Sequence, residues 1–180
     1  FPYTTLFRSE SAIFDAQYFG TPQSRRRLFI VGDLEGAPVM PKPGGRTKKT
    51  VANNILGCGE SKIEPWAFSP VHCPKRAKAT IERAEGAIRE LGDDAAFIMV
   101  YYGTDGAGGF QKLNRPLRTV TTLDRFAYVR PNSNGHEMRM LQPPELSAAM
   151  GFPNYHIWPQ SSRRERIKLI GNAVCPPVMQ

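Results

Sequence analysis

The sequence predicts an α/β fold, and three stretches of its 180 residues carry that expectation. "RLFIVG" at 27–32 and "AAFIMVYYG" at 95–103 are short apolar runs closed by glycine, the pattern of buried strands. Between them, "KRAKATIERAEGAIRELG" places Ala77, Ile81, Ala84, Ile88 and Leu91 at alternating spacings of four and three. That period lines one face of an amphipathic helix, which Gly92 would end.

The remaining elements follow in chain order. A strand at 27–32 buried on both faces would hold the loop before it rigidly at the sheet edge, where functional residues of α/β folds commonly sit. After Gly32, "DLEGAPVMPKPGGRTKKT" carries three prolines, three glycines and four basic residues, the composition of a passage between domains. Residues 51–74 show no clear period. The glycine-rich "GTDGAGGFQKLNRP" is not followed by a helical pattern, so it is a turn rather than a phosphate loop. "RTVTTLDRFAYVRP", from Arg118, is rich in Thr, Val and aromatics and predicts a third strand. Pro144 can occupy the first turn of a helix over "ELSAAM", which Gly151 and Phe152-Pro153 terminate. "SSRRERIKL" predicts a serine-capped helix ending before "IGNAV".

Twenty-four Lys and Arg against 16 Asp and Glu give a net charge of +8, which points to a polyanionic partner such as nucleic acid. Cys58, Cys73 and Cys175 are odd in number, far apart and without a CxxC pair, so neither a disulfide framework nor a metal site is supported. A reducing cytoplasm is the expected compartment. No stretch approaches the roughly 20 apolar residues of a membrane helix.

Four blocks then fall in a recognisable order. "YFGTPQSRRRLFIVG" resembles the QxRxR block of the DNA cytosine-5 methyltransferases, and "RPLRTVTT" resembles the block that follows it there. "MLQPPELSAAMGFPN" matches the next segment, and "LIGNAVCPPV" is similar to the closing GNAV-type block. The resemblance covers residues 11–180 and is weakest over about 33–114. It implies the C-terminal part of a Rossmann-like catalytic domain interrupted by a small target-recognition domain. The expected divisions are a non-native leader at 1–9, where PYTTLFRS resembles a translated sequencing adapter; a first catalytic segment at 10–32; a recognition domain at 33–115; and a truncated closing segment at 116–180.

Cytosine C5 is a weak nucleophile, so a cysteine thiolate in this family first adds to C6 of a flipped-out base, and C5 then takes the methyl group of S-adenosylmethionine. Carried over by position, the resemblance implies catalytic roles for Arg27, as the contact to cytosine O2, and for Arg25, as the brace of the catalytic loop. Gln23, Arg26, Arg118, Thr119, Thr121 and Thr122 would face DNA, and Gly171, Asn172 and Ala173 the cofactor. Guanidinium groups suit such work because they stay charged and present a rigid fork of donors. The resemblance further implies double-stranded DNA as partner, no metal, a monomeric full-length enzyme, and the setting of restriction-modification.

Two departures limit what this chain does alone. The Pro-Cys dipeptide that holds the family's nucleophile is absent, because Cys73 and Cys175 precede proline and Cys58 lies between glycines. The Glu-Asn-Val block and the glycine-rich cofactor loop are absent too, so the isolated chain is expected to be inactive. A free-standing DNA-specificity subunit and the family's RNA-modifying branch are the alternatives.

Overall fold

The computed structural model describes residues 8–101 and 109–179. The first part of the glycine-rich turn, at 103–108, lies outside the described residues. β1 (Arg8–Asp15) and β2 (Arg26–Asp33) form a two-stranded antiparallel sheet in which Arg8 stands opposite Asp33 and Phe14 opposite Arg27. Arg8 and Ser9, the last described residues of the stretch assigned to a leader, pair with Asp33 and Gly32 in this sheet.

The expectation that β2 is buried on both faces is corrected. Its inward face carries Phe29, which meets Phe14 at 5.5 Å between ring centroids, and Phe14 in turn meets Phe19 at 5.2 Å. The other face carries Leu28 and Ile30, which are 61% and 67% exposed. The reason is topological: β2 pairs with β1 alone, and among the described residues no layer lies on its outer side.

The second sheet has five strands in the order β3 (Ser69–Pro70), β7 (Gly135–Met140), β6 (Phe126–Asn132), β4 (Phe97–Val100) and β5 (Phe110–Lys112), all antiparallel neighbours. All four residues of β4 are buried because both faces of the sheet are covered at that point. Alternation sends Phe97 and Met99 to a core with Ala84, Ala87 and Val129, while Ile98 and Val100 join Leu117, Leu146 and Ile170 on the other side. α2 (Lys78–Leu91) supplies Ala84 and Ala87 and ends at Gly92, whose φ of +96° suits glycine. Of its predicted apolar face, Ala77 is the exposed N-cap, and Ile88 and Leu91 pack at the edge of the core.

Residues 118–125 are not strand, so the third predicted strand begins only at Phe126. Their backbone polar groups find side-chain partners, as the site below shows. The unperiodic stretch 51–74 contains one short helix, α1 (Val51–Asn54), capped by Thr50 and anchored by Val51. α3 (Pro143–Ala149) carries Pro in its first turn as anticipated. α4 (Arg163–Asn172) is capped by Ser162 with Glu165 in a capping box, but it continues through Gly171 and Asn172 rather than stopping before Ile170. Burial of Ile170 and Gly171 carries the helix that further turn. No helix among the described residues is long and apolar enough to cross a membrane.

A buried ion pair ties the sheet to α3. Glu145 is fully buried and accepts from Arg139 Nη1 and Nη2 at 2.7 and 2.8 Å, from Gly57 N–H at 2.9 Å and from Gln142 N–H at 2.8 Å. The Arg139 guanidinium also lies 4.8 Å from the centroid of the Trp66 ring, which fixes the segment after α1 onto β7. At the far end of α3, Trp158 Nε1 donates to Ser147 Oγ at 3.0 Å, and its ring sits 4.8 Å from that of Phe152. Arg139→Met leaves the Glu145 carboxylate buried without its cation, which costs about 3–5 kcal/mol. Denaturant unfolding is expected to show a clearly lowered midpoint; an unchanged midpoint would mean the pair adds nothing to stability.

Candidate active site

The stretch from Thr21 to Arg27 is placed by Asp15. Its Oδ1 accepts from Arg25 N–H at 2.8 Å and Gln17 N–H at 3.3 Å, and its Oδ2 accepts from Gln17 Nε2 at 2.7 Å and Ser24 Oγ at 3.0 Å. Burial alone pushes the Asp15 carboxyl up, but these donors together outweigh it and hold the group below the ordinary carboxylate value. Parallel contacts with Leu117 continue the alignment: Leu117 N–H donates to Pro22 O at 2.9 Å, and Ser24 N–H to Leu117 O at 2.8 Å.

Gln23 and Arg25 then point inward. Gln23 is fully buried; Nε2 donates to Ala149 O at 3.2 Å, and Oε1 accepts from Val120 N–H at 3.0 Å. Both ends of its amide are taken up by backbone, so Gln23 fixes the geometry of this segment from within. Arg25, 7% exposed, donates from Nη1 to Val120 O at 2.7 Å and from Nη2 to Gly171 O at 2.8 Å and Ala173 O at 3.3 Å. These bonds make Arg25 a positioning residue. Together with the Gln23 bond to Val120 N–H, they satisfy both backbone groups of Val120, which needs no strand partner.

Gly171 is required where it stands. A Cβ there would collide with the Thr121 carbonyl, a backbone atom that cannot swing away. Its role is close approach of α4 to the 119–122 segment.

Arg27 is exposed, and its Nη1 donates to Arg26 O at 2.7 Å. With Arg25, Phe29, Asn172, Ala173 and Cys175 it lines a cavity of about 400 Å³. The structure therefore brings together Arg25, Arg27, Asn172 and Ala173, with Gly171 joined through its carbonyl. It does not bring in the others. Arg26 faces the opposite side, beside Tyr18 and Pro43, and Arg118 lines a different cleft. Thr119 Oγ1 donates to Ser24 O at 2.9 Å, while Thr121 Oγ1 closes a turn with Leu123. Thr122 sits apart, with Asp124 and Arg163.

The three cysteines differ in setting. Cys175 borders the cavity, yet burial pushes its thiol up to about 11 against the pull of Arg25 and Arg27. Burial, with the Glu145 carboxylate behind it, also raises Cys58. Cys73 adjoins His72, whose Nε2 is engaged with Glu85 at 2.8 Å. Asp15 was not anticipated; its only sequence signal is an Asp followed two residues later by Gln, a spacing that suits a local Asp turn.

The fold is mixed α/β, and the cavity lies between β2 and the end of α4. A model of the C-5 cytosine-specific DNA methylase family matches residues 5–180, and the chain belongs to that family. Among solved structures, a mutant DNMT2 from Spodoptera frugiperda shares the fold with a TM-score of 0.53 and 14% identity, covering 96% of this chain and 56% of that one. The methyltransferase EhMeth from Entamoeba histolytica aligns with a TM-score of 0.46 and 13% identity, over 96% of this chain and 51% of that one. The chain thus spans little more than half the length of these proteins. No curated protein sequence matches it.

A folded-state carboxyl held below its unfolded value contributes stability above the ordinary carboxylate range and loses it as pH falls through the folded value. Asp15→Asn is therefore expected to lower the denaturant midpoint at pH 7, with the gap from the parent chain closing below about pH 4. A gap independent of pH would remove the charge of Asp15 from the account. In the native chain at pH 8, Cys175 is expected to resist a disulfide-exchange reagent until the protein is unfolded; prompt reaction would contradict its burial and raised pKa.

Proposed function

We propose that this chain is the base-holding part of an enzyme that methylates C5 of a flipped cytosine in duplex DNA, with S-adenosylmethionine as donor. The observation that carries this reading is the cavity wall shared by Arg27 and Asn172, which Arg25 bridges from behind.

Arg27 projects a permanently charged fork into the cavity mouth. Apart from the Nη1 bond to Arg26 O, no described residue bonds its guanidinium, so it can donate to a carbonyl oxygen such as cytosine O2. Charge that develops on that oxygen as C6 is attacked would be stabilised by a donor already in place. Asn172 is exposed at the last position of α4, and Ala173 and Val174 extend an apolar wall beside it. An amide next to an apolar wall fits an amphipathic ligand such as S-adenosylmethionine, which supplies the electrophilic methyl group when bound. Arg25 keeps the two groups in register and Gly171 permits the approach.

The attacking thiolate is not among these residues, because Cys175 is a neutral thiol at physiological pH and Pro-Cys occurs nowhere in the sequence. On this reading the thiolate comes from the family's Pro-Cys segment, and the 180-residue chain alone is expected to be inactive. A free-standing specificity subunit would also lack a thiolate, but it leaves Arg27 beside Asn172 without a task. In the full-length enzyme, Arg27→Ala is expected to lower methyl transfer by about 10²-fold, the scale set by losing one preorganised donor, while DNA affinity holds. Equal loss of both would overturn the role of Arg27. Transfer to RNA in preference to duplex DNA would overturn the substrate.

A further inference from the structure

A second cleft lies outside the Arg27 cavity, and no residue lines both. Alternate residues of one extended stretch face the two: Ser24 lines the second cleft, whereas Arg25 and Arg27 line the cavity. The second cleft, of about 460 Å³, gathers Arg46, Lys112, Arg115 and Arg118 against a single acid, Glu90.

These cations come from separate parts of the chain and are brought to one place by backbone bonds. Thr47 N–H donates to Gln17 O at 2.7 Å and Gly44 N–H to Tyr18 O at 2.9 Å, which lays the Arg46 segment beside Gln17. Gln111, 7% exposed, clamps the loop that follows β5: its Nε2 donates to Pro116 O at 2.7 Å, and its Oε1 accepts from Arg118 N–H at 3.1 Å. That clamp sets Lys112, Arg115 and Arg118 along one rim. None of Arg46, Lys112 or Arg115 forms an ion pair among the described residues. Converging exposed cations repel one another, and a polyanion spanning them relieves that repulsion at several points at once.

We propose that this cleft seats the phosphodiester backbone of duplex DNA flanking the reacting base, as a second contact on the far side of the Gln23–Arg27 segment from the cavity. It rests on the reading of the chain as a nucleic-acid methyltransferase, and it adds Arg46, Lys112 and Arg115 as backbone-positioning residues. They contact phosphate rather than base, so they anchor any sequence equally and set register without reading it.

The test is fluorescence anisotropy of a labelled DNA duplex with the 180-residue chain across a salt series. The triple variant Arg46→Gln, Lys112→Gln, Arg115→Gln is expected to weaken binding and to make the slope of log affinity against log salt shallower by about 2.7, near 0.9 per lost phosphate contact. Lys62→Gln, exposed and outside the cleft, measures the generic effect of removing one charge. All four positions are exposed, and unchanged far-UV circular dichroism shows that the variants fold. An unaltered slope in the triple variant overturns the proposal, as does a change per charge no larger than that of Lys62→Gln. Failure of the parent chain to bind the duplex overturns it too, and tighter binding of an RNA hairpin through the same residues overturns the commitment to DNA. The methyltransferase reading stands or falls separately, on transfer by Arg27→Ala in the full-length enzyme.

Discussion

Everything at the cavity depends on one buried guanidinium. Arg25 reaches from the residue before β2 to Val120 on one side and to Gly171 and Ala173 on the other, so three stretches far apart in sequence meet on one side chain. A buried cation without such partners would be strongly unfavourable, and a helix end leaves carbonyls without intrahelical donors. Each solves the other's problem. The carbonyls of the last turn of α4 receive charged donors, and the positive charge lies at the negative end of the helix dipole.

The same arrangement shows why lysine would not serve there. An ammonium is a compact point charge, whereas the planar fork divides its two terminal nitrogens between Val120 on one side and the α4 terminus on the other. Gln23 repeats the device two residues earlier with a neutral amide, linking Val120 to the end of α3. Gln23, Arg25 and Arg27 share one face of an extended chain; the first two anchor it, and Arg27, the second residue of β2, is exposed at the cavity. Asp15 holds the strand entry from beneath, and the missing side chain at Gly171 lets α4 close on the threonine-rich segment.

Much of the fold was legible from local patterns. The period of α2, the proline in α3, the serine cap of α4 and the apolar run of β4 each act over a few residues, and each emerged near its predicted place. What sequence could not show was long-range. Thr119 to Thr122 look like strand by propensity, but side chains at positions 23 and 25 occupy Val120 before a neighbouring strand can. Leu28 and Ile30 look buried by composition, yet the two-stranded pairing of β2 leaves them outside. At the site, the block spacing picked out Arg25, Arg27, Gly171, Asn172 and Ala173, which do meet; the threonines were expected to face DNA, and the hydroxyls of Thr119 and Thr121 bond the backbone.

The two tryptophans of the chain stand in different settings, Trp66 against the Arg139 guanidinium and Trp158 against Phe152 with its indole N–H on Ser147. Each is therefore an optical marker of a different joint. Emission from Trp66 reports whether the segment after α1 is seated on the sheet, and emission from Trp158 reports whether the chain leaving α3 is folded back on that helix. With either one replaced by phenylalanine, the other makes the undocking of its own joint visible in a single cuvette, without any label.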